Sequence, residues 1–205
     1  MEKVPAIFIR KVLYLNVITI LILLFQPETS SAQANYVLGL VHDSTHDPLS
    51  GVEVFEIRHK DKINDTTNAD GLYCIKIPKS CPNYQLQYQK KGYIDHSDPD
   101  PIPNNVDPKK RTTITLLSPT DLAGYSEQEL KEVIGAQVAT FCFAKQSKLP
   151  TVLLGSKANF KLISDNLYLN KVINWHSKQV IRSELKEYIR QADYELRKLG
   201  PYKHE

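Results

Sequence analysis

The chain has 205 residues, of which 41% are hydrophobic and 24% are charged, with 8 Gly and 12 Pro. This composition excludes a collagen-like repeat, a low-complexity chain and a membrane protein of many spans. The formal net charge is only +3 and no basic cluster exceeds Lys109-Lys110-Arg111. The electrostatic footprint of a nucleic-acid-binding protein is therefore missing.

The N-terminus has the three parts of a secretory signal peptide. Basic residues come first, an apolar run from Val12 to Phe25 follows, and small residues lead to Ala32. The run is shorter than the roughly 20 residues that span a bilayer. We expect residues 1–32 to be removed, by a cut before Gln33 or two residues later, which leaves a secreted or periplasmic protein without a membrane span. An uncleaved membrane anchor is the alternative.

Residues 33–118 have the composition of strands and turns. Short runs rich in Val, Ile, Tyr and Thr are separated by Gly, Pro, Asn and Asp, and no helical pattern lies between them. Asp70-Gly71 predicts a hairpin turn with a positive φ. Residues 84–89 alternate Tyr or Leu with Gln, which predicts a strand with one face exposed to water. Strands at this spacing indicate a small sandwich.

Four motifs in this segment resemble a known family. They are Gly39-x-Val41-x-Asp43, Pro48-Leu49-x-Gly51-Val52-x-Val54, Thr67-x-Ala69-Asp70-Gly71-x-Tyr73-x-Ile75-x-Ile77-Pro78 and Tyr88-x-x-x-Gly92-Tyr93. In this order they resemble the carboxypeptidase regulatory-like domain over residues 36–118, although the proline- and aspartate-rich stretch 95–108 is longer than the usual connection. The resemblance implies a transthyretin-like antiparallel β-sandwich of about seven strands and an extracytoplasmic setting. It implies no catalytic residue.

Residues 119–205 change to a helical composition, in which apolar residues recur at three- and four-residue spacing. Ser126 and Glu129 form a capping-box pattern that predicts the start of a first helix. Residues 148–157, with a proline and a glycine, predict a connection. A helix, or a broken pair of helices, of about 30 residues is predicted from about Asp165 to Leu199.

The two segments are expected to form one α+β unit, with the sandwich packed against the C-terminal helices. Several strands are apolar on both faces, for example where Leu38 and Leu40 oppose Val37 and Val41. Strands of this kind are normally buried on both sides. We therefore predict that the helices cover an outer face of the sandwich, which includes Leu38 and Leu40.

Two groups of residues have the side-chain types of metal ligands. The first is His42, Asp43, His46 and Asp47, which spans a strand end and a turn. The presence of Asp43 is accounted for by turn formation, without a metal. The second is Asp98, Asp100 and Asp107, which could bind calcium through oxygen but which lacks the twelve-residue calcium loop. We predict no metal and no cofactor.

Catalytic candidates are equally weak. His176 lies beside Trp175 on a predicted helix, where a surface role is more common than a catalytic one. Ser126, Ser156 and Cys142 lack the strained turn of a nucleophile, and Cys142 falls on an apolar stripe where a structural thiol is expected. Four tyrosines could stack on sugars, namely Tyr36, Tyr84, Tyr88 and Tyr93. The alternation of the strands, however, places most of them in the sandwich core.

Three cysteines, Cys74, Cys81 and Cys142, lie beyond the signal peptide. An odd number leaves at least one thiol free or bonded to another chain. Free thiols and a Cys74–Cys81 bridge both fit the sequence.

The sequence therefore predicts an exported, non-catalytic binding or assembly module at the bacterial cell envelope, with an envelope protein or a glycan as partner. Carbohydrate binding is the alternative function. A hydrolase is disfavoured, because no nucleophile–base pair can be named.

Overall fold

The computed structural model describes residues 35–98, 100–104 and 112–200. The predicted signal peptide, residues 1–32, and Asp107 of the candidate calcium group lie outside the described residues. The chain is α+β, with its strands before residue 116 and its helices after residue 120. Within the described ranges, no helix combines the length and the apolar character needed to cross a membrane.

The described residues form nine strand segments and three α-helices. The strands are β1 (Asn35–His42), β2 (Glu53–Glu56), β3 (Asn64–Thr66), β4 (Leu72–Ile77), β5 (Asn83–Tyr84), β6 (Leu86–Gln89), β7 (His96–Ser97), β8 (Ile102–Pro103) and β9 (Thr112–Thr115). The helices are α1 (Glu127–Ser147), α2 (Pro150–Asn166) and α3 (Trp175–Lys198), with single 3-10 turns at Asp121–Gly124 and Leu167–Leu169.

The strands form a three-stranded sheet of order β4-β1-β9, a four-stranded sheet of order β3-β2-β6-β7, and a two-stranded pair of β5 and β8. β1 pairs antiparallel with β4 and parallel with β9. The expectation of a wholly antiparallel arrangement is therefore wrong. The chain passes through the second sheet before it returns, and this excursion lets β9 enter beside β1 in the same direction.

The two larger sheets share one buried core. The alternation along β4 is as predicted, since Tyr73, Ile75 and Ile77 are buried while Cys74 and Lys76 are exposed. At the centre of the core, the hydroxyl groups of Tyr73 and Tyr88 hydrogen-bond at 3.0 Å. The cluster consists of Val41, Leu49, Val52, Val54, Ile63, Tyr73, Ile75, Ile77, Tyr84, Leu86, Tyr88, Ile114 and Leu116.

The turn before β4 has the predicted backbone but not the predicted partners. Gly71 has φ +71°, and the Asn68 side chain accepts hydrogen bonds from the N–H groups of Asp70 and Leu72. However, β3 and β4 belong to different sheets. The turn therefore carries the chain from one sheet to the other and is not a hairpin, because the strands on its two sides pair with β2 and β1.

The first helix begins as predicted, with the reciprocal Ser126 and Glu129 capping box. The predicted connection over 148–157 is wrong, because α2 begins at Pro150 and includes Gly155. Proline is well tolerated in the first turn of a helix, where its missing N–H has no partner to lose. The actual break follows α2, where Asn170 Nδ2 donates to the carbonyls of Leu122 and Tyr125 at 2.6 and 2.8 Å.

The helices pack on the four-stranded sheet. Ile57 and Ile94, from the strand half, belong to the same buried cluster as the apolar stripes of the three helices. Leu38 and Leu40 are only half-buried and lie outside this cluster. The helices therefore cover an outer face of a sheet, as predicted. The covered face belongs to the sheet of β2 and β6 and not to the sheet that contains Leu38 and Leu40.

Candidate functional site

The glutamine face of β6 lies against the helices. The sequence predicted that this face is exposed to water, but Gln85 and Gln87 are only 6% and 1% exposed. An ideal Cβ at Gly155 of α2 would lie 3.4 Å from Gln87 Nε2 and 2.6 Å from Gln89 Nε2. The prediction was wrong because the periodicity of a strand cannot reveal a helix that packs over its polar face.

Asp95 lies at the centre of the contact between the sheet and the helices. Its N–H donates to Asn159 Oδ1 of α2 at 3.2 Å, and its carbonyl accepts from Gln137 Nε2 of α1 at 2.9 Å. Asn159 Nδ2 in turn donates to Gln137 Oε1 at 2.8 Å. Two helices and one loop are thus joined by a closed set of amide hydrogen bonds. The two side-chain amides satisfy the backbone N–H and carbonyl of Asp95, which have no strand partner.

The Asp95 carboxyl faces polar groups of the sheet. Its Oδ2 accepts from Gln89 Nε2 at 2.8 Å. Burial raises the pKa of Asp95 to about 6, although hydrogen bonds from Gln89 and Asn159 and the charge of Lys60 act in the opposite direction. Desolvation penalises the ionised form more than these partners stabilise it.

A cleft of about 1300 Å³ opens beside this group, between the four-stranded sheet and α2. We call it the helix–sheet cleft. Its sheet wall is polar and includes Glu53, Lys60, Gln89, Tyr93 and Asp95. Its helix wall is mainly apolar and includes Leu154, Ala158 and Leu162, with Asn159 at the junction of the two walls. A ligand in this cleft would meet hydrogen-bonding groups on one side and aliphatic carbon on the other.

Two lysines of the cleft lining, Lys60 and Lys90, have partners within the described residues. Lys60 Nζ donates to Glu53 Oε2 at 2.9 Å and lies 4.3 Å from the centre of the Phe55 ring. Lys90 Nζ donates to the carbonyl of Ser50 at 2.5 Å. The hydrogen-bonded part of the polar wall therefore has its partners before any ligand binds, which reduces the entropy lost there on binding.

A smaller cavity of about 440 Å³, lined in part by Gln85, lies between the loop after β7 and α1. Burial lowers the pKa of His96 and raises the pKa of Asp98 to about 6. Asp98 Oδ2 accepts from the N–H of Leu86 at 3.0 Å. Of the three carboxylates considered for calcium, Asp98 is therefore buried against the sheet, whereas Asp100 is exposed.

The residues of the first metal candidate form a turn. Asp43 Oδ1 accepts from the N–H groups of Thr45 and Asp47 at 2.9 and 3.0 Å. His42 Nδ1 lies 2.6 Å from the carbonyl of Asp43, and His46 has φ +69°. In the described part of the chain, no three His, Cys, Asp or Glu side chains converge as a metal site would require.

The catalytic candidates are dispersed. His176 is exposed in the first turn of α3, Ser126 caps α1, and Ser156 is buried in α2. Cys142 is exposed rather than buried, because it lies beside and not within the stripe that buries Phe141. The structure brings none of these side chains together.

The tyrosines divide between the core and the surface. Tyr84 and Tyr88 are buried as predicted, Tyr36 is 50% exposed, and Tyr93 lines the helix–sheet cleft. All three cysteines are free, with Cys74 and Cys142 exposed and Cys81 half-buried. The helix–sheet cleft was missed from the sequence, and of the Gln85, Gln87 and Gln89 series only Gln89 lines it.

No family model and no curated protein matches the chain. Among solved structures it is similar to a streptococcal ancillary pilin, with 14% identity and a TM-score of 0.27. The match covers 43% of this chain and 33% of the pilin chain, so this chain spans a third of that protein's length. A likeness at this level carries no argument about fold or function.

Proposed function

We propose that this chain is a non-catalytic binding module and that the helix–sheet cleft is its ligand site. The observation that carries the proposal is the cleft's pairing of an ordered polar wall with an apolar wall. Concave sites with a few fixed polar groups among aliphatic side chains are the usual form of a ligand pocket. The volume of about 1300 Å³ is large enough for an extended ligand of several linked units.

A binding role is favoured over a catalytic one by the way Asp95 is used. Its carboxyl has a raised pKa, a property that often marks catalytic groups. However, it is hydrogen-bonded to Gln89, and its backbone is bonded to both helices. Because these bonds hold the loop between the sheet and the two helices, the group is best explained as a structural acid.

Carbohydrate is the ligand class that we propose as the alternative to a protein partner. Sugar hydroxyl groups need both donors and acceptors. In the exposed part of the lining, the Lys91 ammonium can donate, and the Glu53 carboxylate, whose Oε2 accepts from Lys60, has a second oxygen that can accept. The CH face of a sugar ring packs on aromatic carbon, and Tyr93 lies on the same wall. This combination favours a glycan over a wholly apolar ligand.

The proposed setting is the bacterial cell envelope, with the strand half as a transthyretin-like sandwich of the carboxypeptidase regulatory-like family. The four sequence motifs and the core shared by two sheets support this family. The N-terminal pattern of residues 1–32 supports export. Mass analysis of the native protein tests export, since we expect the chain to begin at Gln33 or two residues later at Asn35, whereas an intact Met1 on membrane-bound material would contradict it.

A glycan array and a pull-down on isolated envelope material test the binding function. Ala158→Trp places an indole in the cleft from an exposed helix position. Lys186→Trp adds the same side chain to an exposed position on α3 and serves as the matched control. We expect binding to be lost in Ala158→Trp and retained in Lys186→Trp. Equal binding by both variants would show that the ligand lies elsewhere.

A further inference from the structure

A third concavity, of about 410 Å³, lies between two loops of the strand half. We call it the basic pocket. No residue of the three helices lines it, so it is separate from the helix–sheet cleft. Its polar lining consists of Arg58, His59, Lys62, Ser80, Cys81 and Asn83.

Hydrogen bonds fix both walls of the basic pocket. On one side, the buried Glu56 carboxylate accepts from the N–H of Arg58 at 2.9 Å and lies 2.7 Å from His59 Nδ1. On the other side, Asn104 Nδ2 donates to the carbonyls of Pro78 and Cys81 at 2.9 and 2.8 Å. The pocket is therefore formed before any ligand arrives.

The cationic side chains of the basic pocket have no partner within the described residues. The guanidinium of Arg58 and the ammonium of Lys62 make no hydrogen bond or ion pair there. Lys60 of the same loop, by contrast, is paired with Glu53 on the sheet wall of the helix–sheet cleft. No Asp or Glu side chain lines the pocket, and the one carboxylate behind it, that of Glu56, is already bonded to His59.

Neutral donors complete the lining. The Ser80 hydroxyl and the Asn83 amide also have no partner in the described part of the chain, and both line the same concavity. Cations and neutral donors that line one concavity, even as exposed side chains, create a local positive potential. A guanidinium beside a hydroxyl and an amide is the donor set that carboxylate, sulfate and phosphate oxygens accept from.

We propose that the basic pocket binds a single oxyanion group, the phosphate, sulfate or carboxylate of a ligand. This site does not depend on the function proposed for the helix–sheet cleft, and either could fail alone. The oxygens of the anion accept from Arg58 and Lys62, and Ser80 and Asn83 complete the shell.

Cys81 supplies a reporter for occupancy, because its thiol lies in the pocket wall. Burial raises the pKa of the Cys81 thiol, the Glu56 carboxylate adds to this effect, and Arg58 opposes it. An anion beside Arg58 cancels that opposition and covers the sulfur, so both effects slow alkylation, which requires the thiolate. The exposed Cys74 and Cys142 are internal references in the same chain.

The test measures iodoacetamide labelling of each cysteine by mass spectrometry on the full purified chain. Sodium phosphate, sodium sulfate and sodium glucuronate are titrated separately against sodium chloride at constant ionic strength, so that the three arms distinguish the source of the oxyanion. We expect a saturable fall in labelling at Cys81 in at least one arm and no change at Cys74 or Cys142. Equal rates at Cys81 in every salt would overturn the proposal, as would equal slowing of all three thiols.

Two single variants locate the anion. Arg58→Gln and Lys62→Gln each remove one charge from an exposed side chain, and each should weaken the protection about tenfold, the usual effect of losing one charge-assisted hydrogen bond. Lys186→Gln on α3 removes an exposed charge elsewhere and should change nothing. Unaltered protection in both pocket variants, with melting temperatures equal to that of the parent, would refute the assignment.

Discussion

The side chain of Asn159 and the backbone of Asp95 are joined across the contact between helix and sheet. Asn159 Oδ1 accepts the Asp95 N–H at 3.2 Å, while its Nδ2 donates to Gln137 Oε1 at 2.8 Å. Gln137 completes the set by donating to the Asp95 carbonyl. One buried amide thus determines how the loop after β6 meets two different helices, and its removal tests how tightly the two halves are joined.

Asn159→Ala should lower the free energy of unfolding by about 1–3 kcal/mol, because it leaves buried partners on Asp95 and Gln137 without hydrogen bonds. Asn166→Ala is the matched control. Asn166 Nδ2 donates only to the carbonyl of Leu162 in its own helix, so we expect a cost below about 0.5 kcal/mol. Denaturant unfolding measures both. Equal costs would show that the amide set does not join helix and sheet.

Gly155→Ala and Gly135→Ala should have opposite effects on stability. Both glycines lie in helix interiors, where alanine gains about 1 kcal/mol. Gly135 has open space around it, whereas a Cβ at Gly155 would lie 2.6 Å from Gln89 Nε2 and 2.9 Å from Asp95 Oδ2. Room for that Cβ requires the Gln89–Asp95 hydrogen bond to shift. We expect the difference between the two variants to be about 1–2 kcal/mol, and thermal melts of the two proteins side by side provide the measurement.

The turn at Gly71 offers a second matched pair. Gly71 and Gly92 have φ of +71° and +91°, but only at Gly71 would a Cβ meet backbone, 2.4 Å from the carbonyl oxygen of Val41. Gly92→Ala should cost about 1–2 kcal/mol from its backbone conformation alone. Gly71→Ala should cost at least about 1 kcal/mol more, because the first sheet has to move to admit the methyl group. Similar melting temperatures for the two variants would count against this close approach.

The stability of the protein should depend on the ionisation of Asp95. Its folded pKa of about 6 is above the ordinary value of 3.8, so the folded state holds the proton more tightly than the unfolded state. Stability from this group is fully present below about pH 4 and is lost as the pH rises to about 6.

Asp95→Asn keeps an acceptor oxygen for Gln89 and removes the ionisation. Its unfolding free energy, relative to the parent, should rise by roughly 1–3 kcal/mol between pH 4 and pH 6.5 and then remain level. Asp98, whose pKa is also raised to about 6, is present in both proteins and cancels in the difference. Denaturant midpoints collected across this range measure the effect, and a difference independent of pH would contradict it.

The elements that depend on local chemistry could be predicted from the sequence. The Ser126 and Glu129 capping box, the positive φ of Gly71 and the inward face of β4 all follow from neighbouring residues. Pairing between distant strands could not be predicted, because register and direction depend on contacts that the local pattern does not contain. The parallel pairing of β1 with β9 and the loss of the hairpin at Asp70-Gly71 are two cases.

The contact between the helices and the polar face of β6 was missed for a related reason. Gln85 and Gln87 have the alternation of an exposed strand face, and only the docking of α2 makes that face an interior one. The start of α2 is also hidden in the sequence, since proline and glycine, here Pro150 and Gly155, are typical of connections between helices. A proline in the first turn of a helix and a glycine at a close packing contact are both compatible with a continuous helix. Only the tertiary structure distinguishes these positions from a break between helices.

The position of β1 at the centre of its sheet has a consequence for the order in which the chain can fold. His42 of β1 is paired with Thr115 of β9, 73 residues later in the chain. As the protein is synthesised, β1 and β4 can pair early, but the second edge of β1 stays open until β9 has emerged. During that interval the chain exposes an unpaired strand edge of the kind that seeds aggregation. A chain that stops before Thr112 should therefore accumulate in inclusion bodies, whereas one that continues past Thr115 can close its first sheet.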